Sequence, residues 1–266
     1  MGKVEVYLTD MQNSILSIAL LAIAVLSICG VANGQDIGAN TNMQSVETTY
    51  PFQVSADGIG ADQQQAVSKA VELIKQGNLA SAETILDGVL ARFTSLMDDA
   101  DKTYVCFRES NDYRQFLNEM QDKQTPGARS QVTRVHDSFG QALQMKAYIA
   151  SSRKEWDRAL EYLNKKISHA QYEAQPYIEM GYILNARGRS KEAAESYRKG
   201  YALAVAHGAA KTEQAMALRG LGTAQIELGR LDDAVESFKK SLEIDPGNKT
   251  ALHELRYIEQ MRSTGR

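Results

Sequence analysis

Little in this 266-residue chain is arranged for catalysis. The histidines His136, His169, His207 and His253 lie far apart, with no Glu-x-x-His pair or two-His helix motif among them, so neither a metal nor a general base is assembled by spacing. No G-x-S-x-G, Walker loop or G-x-G-x-x-G is present, and Gly58-Ile-Gly60 is too short to cradle a phosphate. Asp98, Asp99 and Asp101 gather negative charge, but no glycine and glutamate follow to complete a calcium loop, so a solvated turn is the reading. Asn248-Lys-Thr250 fits a glycosylation acceptor, which has meaning only in a eukaryotic secretory pathway. The expectations are no catalytic residues, no metal and no cofactor, although an enzyme is not excluded, because fold does not fix function.

What the chain does carry is periodicity. Residues 215–248 place small residues at Gly222 and Ala234, a turn glycine at Gly229, an aromatic at Phe238 and a proline at Pro246. Residues 174–207 repeat the arrangement with Tyr177, Gly181, Leu184, Gly188, Ala193 and Tyr197. Residues 140–173 carry Leu143, Ala147, Ala150, Ala159 and Leu163, and residues 63–96 carry Ala66, Ala70, Leu73, Gly77, Ala82 and Leu86. Ala159 to Ala193 and Ala147 to Gly181 are both steps of 34 residues.

These residues resemble the tetratricopeptide repeat, a helix–turn–helix unit of about 34 residues. The resemblance covers about half of the chain. It implies an all-α fold, a right-handed superhelical solenoid of antiparallel helix pairs, in which Ala and Gly let backbones approach and Tyr197, Phe238 and Leu86 fill the space between layers. Gly77, Gly188 and Gly229 stand where first helices must stop, because glycine takes the left-handed conformation without a Cβ penalty. Pro246 follows a second helix that it cannot continue.

The register breaks twice. Gly181 to Gly222 is 41 residues, seven more than the unit, which lengthens the helix through Tyr201–His207 and the start of the next, with Gly208 between them. Ala82 to Ala159 is 77 residues, so an insert fills 97–139 and packs against the solenoid. Within it Thr103–Phe107 suits a short extended segment. Tyr113, Phe116, Leu117 and Met120 fall at helical spacing behind Ser110 and Asn111, and Gln124–Gly127 signals a turn. Val132, Val135, Phe139, Ala142 and Leu143 form one apolar stripe, which predicts a helix from about Ala128. After Pro246 a cap helix over 249–262 is expected, with Arg256 and Glu259 where another layer would need small or apolar residues.

Between Asp10 and Asp36 the chain has no charge, and Ile15–Cys29 is nearly all apolar. With small residues one and three places before Gln35, residues 1–34 read as a signal peptide cleaved after Gly34. Its charged region is weak, and Met11 competes with Met1 as the start. The competing expectation is an uncleaved membrane anchor over Ser14–Val31. Residues 35–62 are polar and aperiodic and read as a flexible linker before a domain spanning 63–266. An exported, periplasmic or secreted location follows, and contact with membrane only if the anchor is kept. Net charge is −3 and pI about 5.9, which gives no electrostatic footprint for nucleic acid. Cleavage would leave Cys106 as the one cysteine, with no intramolecular disulfide to make. It is either a buried small hydrophobe or a reactive or intermolecular thiol.

In the family the sequence resembles, stacked first helices line a concave face. That implies a partner-binding groove with Gln144, Tyr148, Ile178, Tyr182, Arg219 and Thr223. Tyr148 and Tyr182 are 34 residues apart and suit peptide recognition, each with an apolar ring and a hydroxyl. They also occupy places where the family's clamp for acidic chaperone tails needs asparagine, and only Arg219 offers a cation, so such a clamp is not expected. The functional expectation is an exported scaffold for a protein or peptide ligand. A structural, self-assembling envelope protein is the alternative, and an enzyme the more distant one.

Overall fold

In this computed structural model the described residues are 58–107, 115–116, 119 and 131–263. The signal or anchor segment, most of the linker, the helical pattern around Tyr113–Met120 (Phe116 apart) and the turn at Gln124–Gly127 lie outside them.

Nine α-helices are found among the described residues, and they stack in antiparallel pairs, as the all-α expectation requires. The pairs are α1 (Gln64–Lys75) with α2 (Leu79–Leu96), α3 (Ser138–Ser152) with α4 (Trp156–His169), α5 (Gln175–Ala186) with α6 (Ser190–Ala206), and α7 (Lys211–Glu227) with α8 (Leu231–Ile244). The last helix, α9 (Lys249–Ser263), packs on α8. The seven surplus residues extend α6 and α7 to 17 residues each, against 14 in α4 and 12 in α5, and Gly208 turns between them at φ 64°.

Small residues set the spacing between layers. Ala70, Ala82, Ala159, Ala193 and Ala234 are fully buried, and Ala147 is 1 % exposed. A methyl added to Gly181 would lie 2.9 Å from the Tyr197 ring, and one added to Gly222 would lie 2.8 Å from Phe238. Gly77, Gly188 and Gly229 end their helices at φ 71–77°. The matching turn after α3 carries Lys154 at φ 61°, the one described non-glycine residue at positive φ. Pro246 is exposed in the turn before α9, where the Asn248 side chain accepts from the Ala251 amide at 3.1 Å and starts the helix.

The insert departs from the helical expectation. Lys102–Cys106 forms strand β1, in line with the extended reading, but Gln131–Val135 is also a strand, β2, and pairs with it in parallel with Cys106 opposite Val135. The helix expected from about Ala128 is overturned at Gln131–Val135, which is strand, and α3 starts only at Ser138. The physical reason is non-local. Ile59 bridges Val135 from the other side, with Ile59 N–H donating to the Arg134 carbonyl and His136 N–H to that of Ile59, both at 3.0 Å. Gly58–Asp62, expected as the end of a linker, is therefore held in the fold. Gly60, at φ 84°, lies so close to Phe93 that a Cβ would sit 2.2 Å from the ring. One core joins Val67, Leu86 and Phe93 to Cys106, Val135 and Phe139. A second cluster, Val105, Phe107, Phe116, Val132 and Tyr172, fastens the insert to the turn between α4 and α5.

Candidate functional site

The expected groove residues all lie on α3, α5 and α7, yet most are sunk into the packing. Tyr182 is 7 % exposed among Ala147, Ala159 and Leu163. Ile178 packs on Gly200 of α6, and Thr223 donates to the Arg219 carbonyl at 3.1 Å. Tyr148 is half-buried. Burial raises the phenol pKa of both tyrosines. Arg219 is held by Asp245 at 3.4 Å, and burial lowers its pKa against that attraction. The same register continues onto α9. Thr223 and Arg219 are each 34 residues before Tyr257 and His253. Tyr257 is 37 % exposed and the His253 side chain 71 %. Read only as a cap, α9 concealed these two, although the 34-residue step points to them.

A polar centre occupies the N-terminal ends of these first helices. It is built around Lys166 of α4, whose place in the register belongs to a small residue: 34 residues later stands Gly200, and 41 beyond that Ser241. The Lys166 side chain is 7 % exposed, pairs with Glu173 at 2.7 Å and donates to Gln144 Oε1 at 3.1 Å. Burial lowers its pKa, but the charges of Glu173 and Asp137 prevail and the net shift is upward. Gly140 lies alongside, where a Cβ would stand in ordinary contact, 3.6 Å from Lys166 Cε. Glu179 accepts from Gln175 Nε2 at 2.8 Å. Burial pushes its carboxyl up to about 7; Gln175, Lys166 and Gln144 oppose that, and Glu213 adds to it. Beneath lies Cys106, whose thiol burial pushes well up, so it stays protonated and inert at neutral pH.

A separate charged junction ties α2 to α3 and α4. Lys146, 1 % exposed, bonds Glu83 at 2.9 Å and Asp87 at 2.5 Å, and Arg153 and Arg158 also reach Glu83. Glu155 pairs with Arg158 at 3.1 Å, so three cations meet three carboxylates, which suits a structural joint.

The histidines stay apart. His136 meets Ser138 Oγ, His169 Nδ1 meets the Tyr104 carbonyl, His207 stacks on Tyr172, and His253 lies beside Glu254. Among the described residues no group of three or more His, Cys, Asp or Glu is placed to hold a metal, and no helix is long and apolar enough to cross a membrane. Asp99 pairs with Lys102 at 3.0 Å and caps Asp101 N–H, so the acidic run forms a turn.

Residues 172–246 match the tetratricopeptide repeat family model. No curated protein sequence matches the chain. The fold is similar to a kinesin light chain-like repeat protein from Podospora anserina, at 14 % identity over 77 % of this chain and 89 % of that one, TM-score 0.52. A tetratricopeptide repeat protein from Parabacteroides merdae aligns at 15 % identity over 77 % of this chain and 61 % of that one, TM-score 0.49. The N-terminal domain of stress-induced protein-1 from C. elegans aligns at 18 % identity over 45 % of this chain and 94 % of that one, TM-score 0.42.

Proposed function

We propose that this tetratricopeptide-like solenoid is an exported scaffold that binds a segment of a partner protein along its first helices. The observation that carries the reading is that Tyr148, half-buried, and Tyr257, 37 % exposed, stand in one register of the first helices, which the buried Tyr182 and Thr223 continue between them at steps of 34, 41 and 34. Tyrosine offers a large rigid face and a hydroxyl at little cost in side-chain entropy, which suits recognition of an extended peptide. Export rests on the apolar run Ile15–Cys29 and the small residues before Gln35. A mass spectrum of the mature chain beginning at Gln35 supports cleavage; an intact N-terminus supports the anchor instead.

The groove is tested by pull-down from the native envelope with Tyr148→Ala and Tyr257→Ala. Both positions are open enough to be truncated without a deep cavity. Loss of the same partner from both variants supports the reading, and an unchanged partner list removes it.

One observation favours the self-assembly alternative. Leu252, 41 % exposed, and Tyr257 put two large apolar side chains on the terminal helix. Light scattering across a concentration series decides it: a constant monomer sinks self-assembly.

A further inference from the structure

Helix α9 leaves open a row of side chains that α7 keeps covered. Leu218, Gly222 and Gln225 of α7 stand 34 residues before Leu252, Arg256 and Glu259. Leu218 is 3 % exposed, Gly222 lies against the Phe238 ring of α8, and Gln225 Oε1 accepts from Ser237 Oγ of α8 at 2.7 Å. Gly181 of α5, 41 residues before Gly222, meets Tyr197 of α6 in the same way. This is the side that a first helix gives to its own second helix. Among the described residues no second helix follows α9, and Leu252 is 41 % exposed. With Lys249 the row reads Lys249, Leu252, Arg256 and Glu259, at steps of three, four and three that align along one side of a helix. Lys249, Arg256 and Glu259 are exposed, and none of them has an ion-pair partner among the described residues.

We infer that the same row of a second copy covers this one, with the two α9 helices antiparallel about a two-fold axis. The inference rests on the self-association reading above and is independent of the groove. The charges choose the direction. A parallel pair would set Lys249 against Lys249, Arg256 against Arg256 and Glu259 against Glu259. The antiparallel pair sets Lys249 against Glu259 of the second copy at both ends, and lays Leu252 on the aliphatic stem of its Arg256. One patch then serves both copies, so assembly closes at two. Arg256 also keeps a further repeat from stacking, since it stands where Gly181 and Gly222 admit an aromatic ring. The contact is about three turns long, which puts it at the small end of interfaces, and the dissociation constant is expected to be on the order of 100 μM.

The test is sedimentation velocity on the purified chain at low salt, over about tenfold either side of that concentration. A monomer–dimer equilibrium is expected. Lys249→Glu or Glu259→Lys, each alone, sets like charges together at both ends and should weaken the dimer about tenfold, as two exposed ion pairs turned repulsive provide. Both positions are exposed, and circular dichroism checks that the helices are kept. Mixing the two variants should restore the dimer as a heterodimer, because each end then meets the opposite charge. An association unmoved by either variant, or a mixture no tighter than the variants alone, overturns this face and leaves self-association standing elsewhere on the molecule. A constant monomer overturns both.

Discussion

Lys166 and Glu173 face each other at 2.7 Å with side chains 7 % and 9 % exposed. Removing one partner of such a pair strands the other charge in the interior, which costs about 3–5 kcal/mol. Lys166→Met should therefore lower unfolding free energy by that amount in urea denaturation. Adding Glu173→Gln should recover a substantial part, because the stranded charge goes with it. A single variant as stable as the parent would show the pair to be far better solvated than its burial implies.

Two carboxylates should bend the pH–stability curve in opposite directions. Glu83 is lowered to about 2, first by its hydrogen bond from Lys146 and then by Arg153, against the cost of burial. Its contribution is complete above its ordinary value of 4.5 and is lost as pH falls through about 2. Glu179 is raised to about 7 by burial, so the folded state holds a proton that the unfolded chain has released, and stability falls as pH climbs from about 4.5 to about 7. Glu83→Gln should flatten the acid limb and Glu179→Gln the near-neutral one, read as unfolding midpoints across pH.

Gly220 and Gly88 should respond oppositely to alanine. A methyl at Gly220 would meet the Tyr197 ring at 2.2 Å, and overpacking of this kind costs about 1–3 kcal/mol. At Gly88, inside α2, nothing lies within 4 Å, so Gly88→Ala should stabilise by about 0.5–1 kcal/mol through helix propensity. Thermal melts of the two variants check both signs.

Lys154 turns the chain after α3 at φ 61°, the work that Gly188 does 34 residues later. A left-handed non-glycine residue costs about 1–2 kcal/mol, offset in part by the greater unfolded freedom of glycine. Lys154→Gly should therefore gain a few tenths to about 1 kcal/mol in urea denaturation.

Much of this solenoid could be read from spacing alone, because the unit is local. Gly181, Tyr197, Gly222 and Phe238 are each dictated by a neighbour one helix or one repeat away. The insert was less legible. Val132, Val135, Phe139 and Ala142 fit a helical stripe, but the backbone at 131–135 is claimed by Ile59 and by Lys102–Cys106, partners some 30 to 75 residues distant in sequence. The polar centre was missed for a different reason. Lys166 reads as a surface charge on an amphipathic helix, and only comparison with Gly200 and Ser241 shows that it stands where the repeat wants a small residue.

On the proposed function a partner segment lies along the first helices. Photocrosslinking in the native cell tests it most directly, with p-benzoylphenylalanine placed singly at Tyr148 and Tyr257 in the groove and at exposed Glu195 on the second helix α6. Adducts to one and the same protein are expected from positions 148 and 257, and none to that protein from position 195. Adducts to that protein from 195 as well, or none from either groove position, would contradict it.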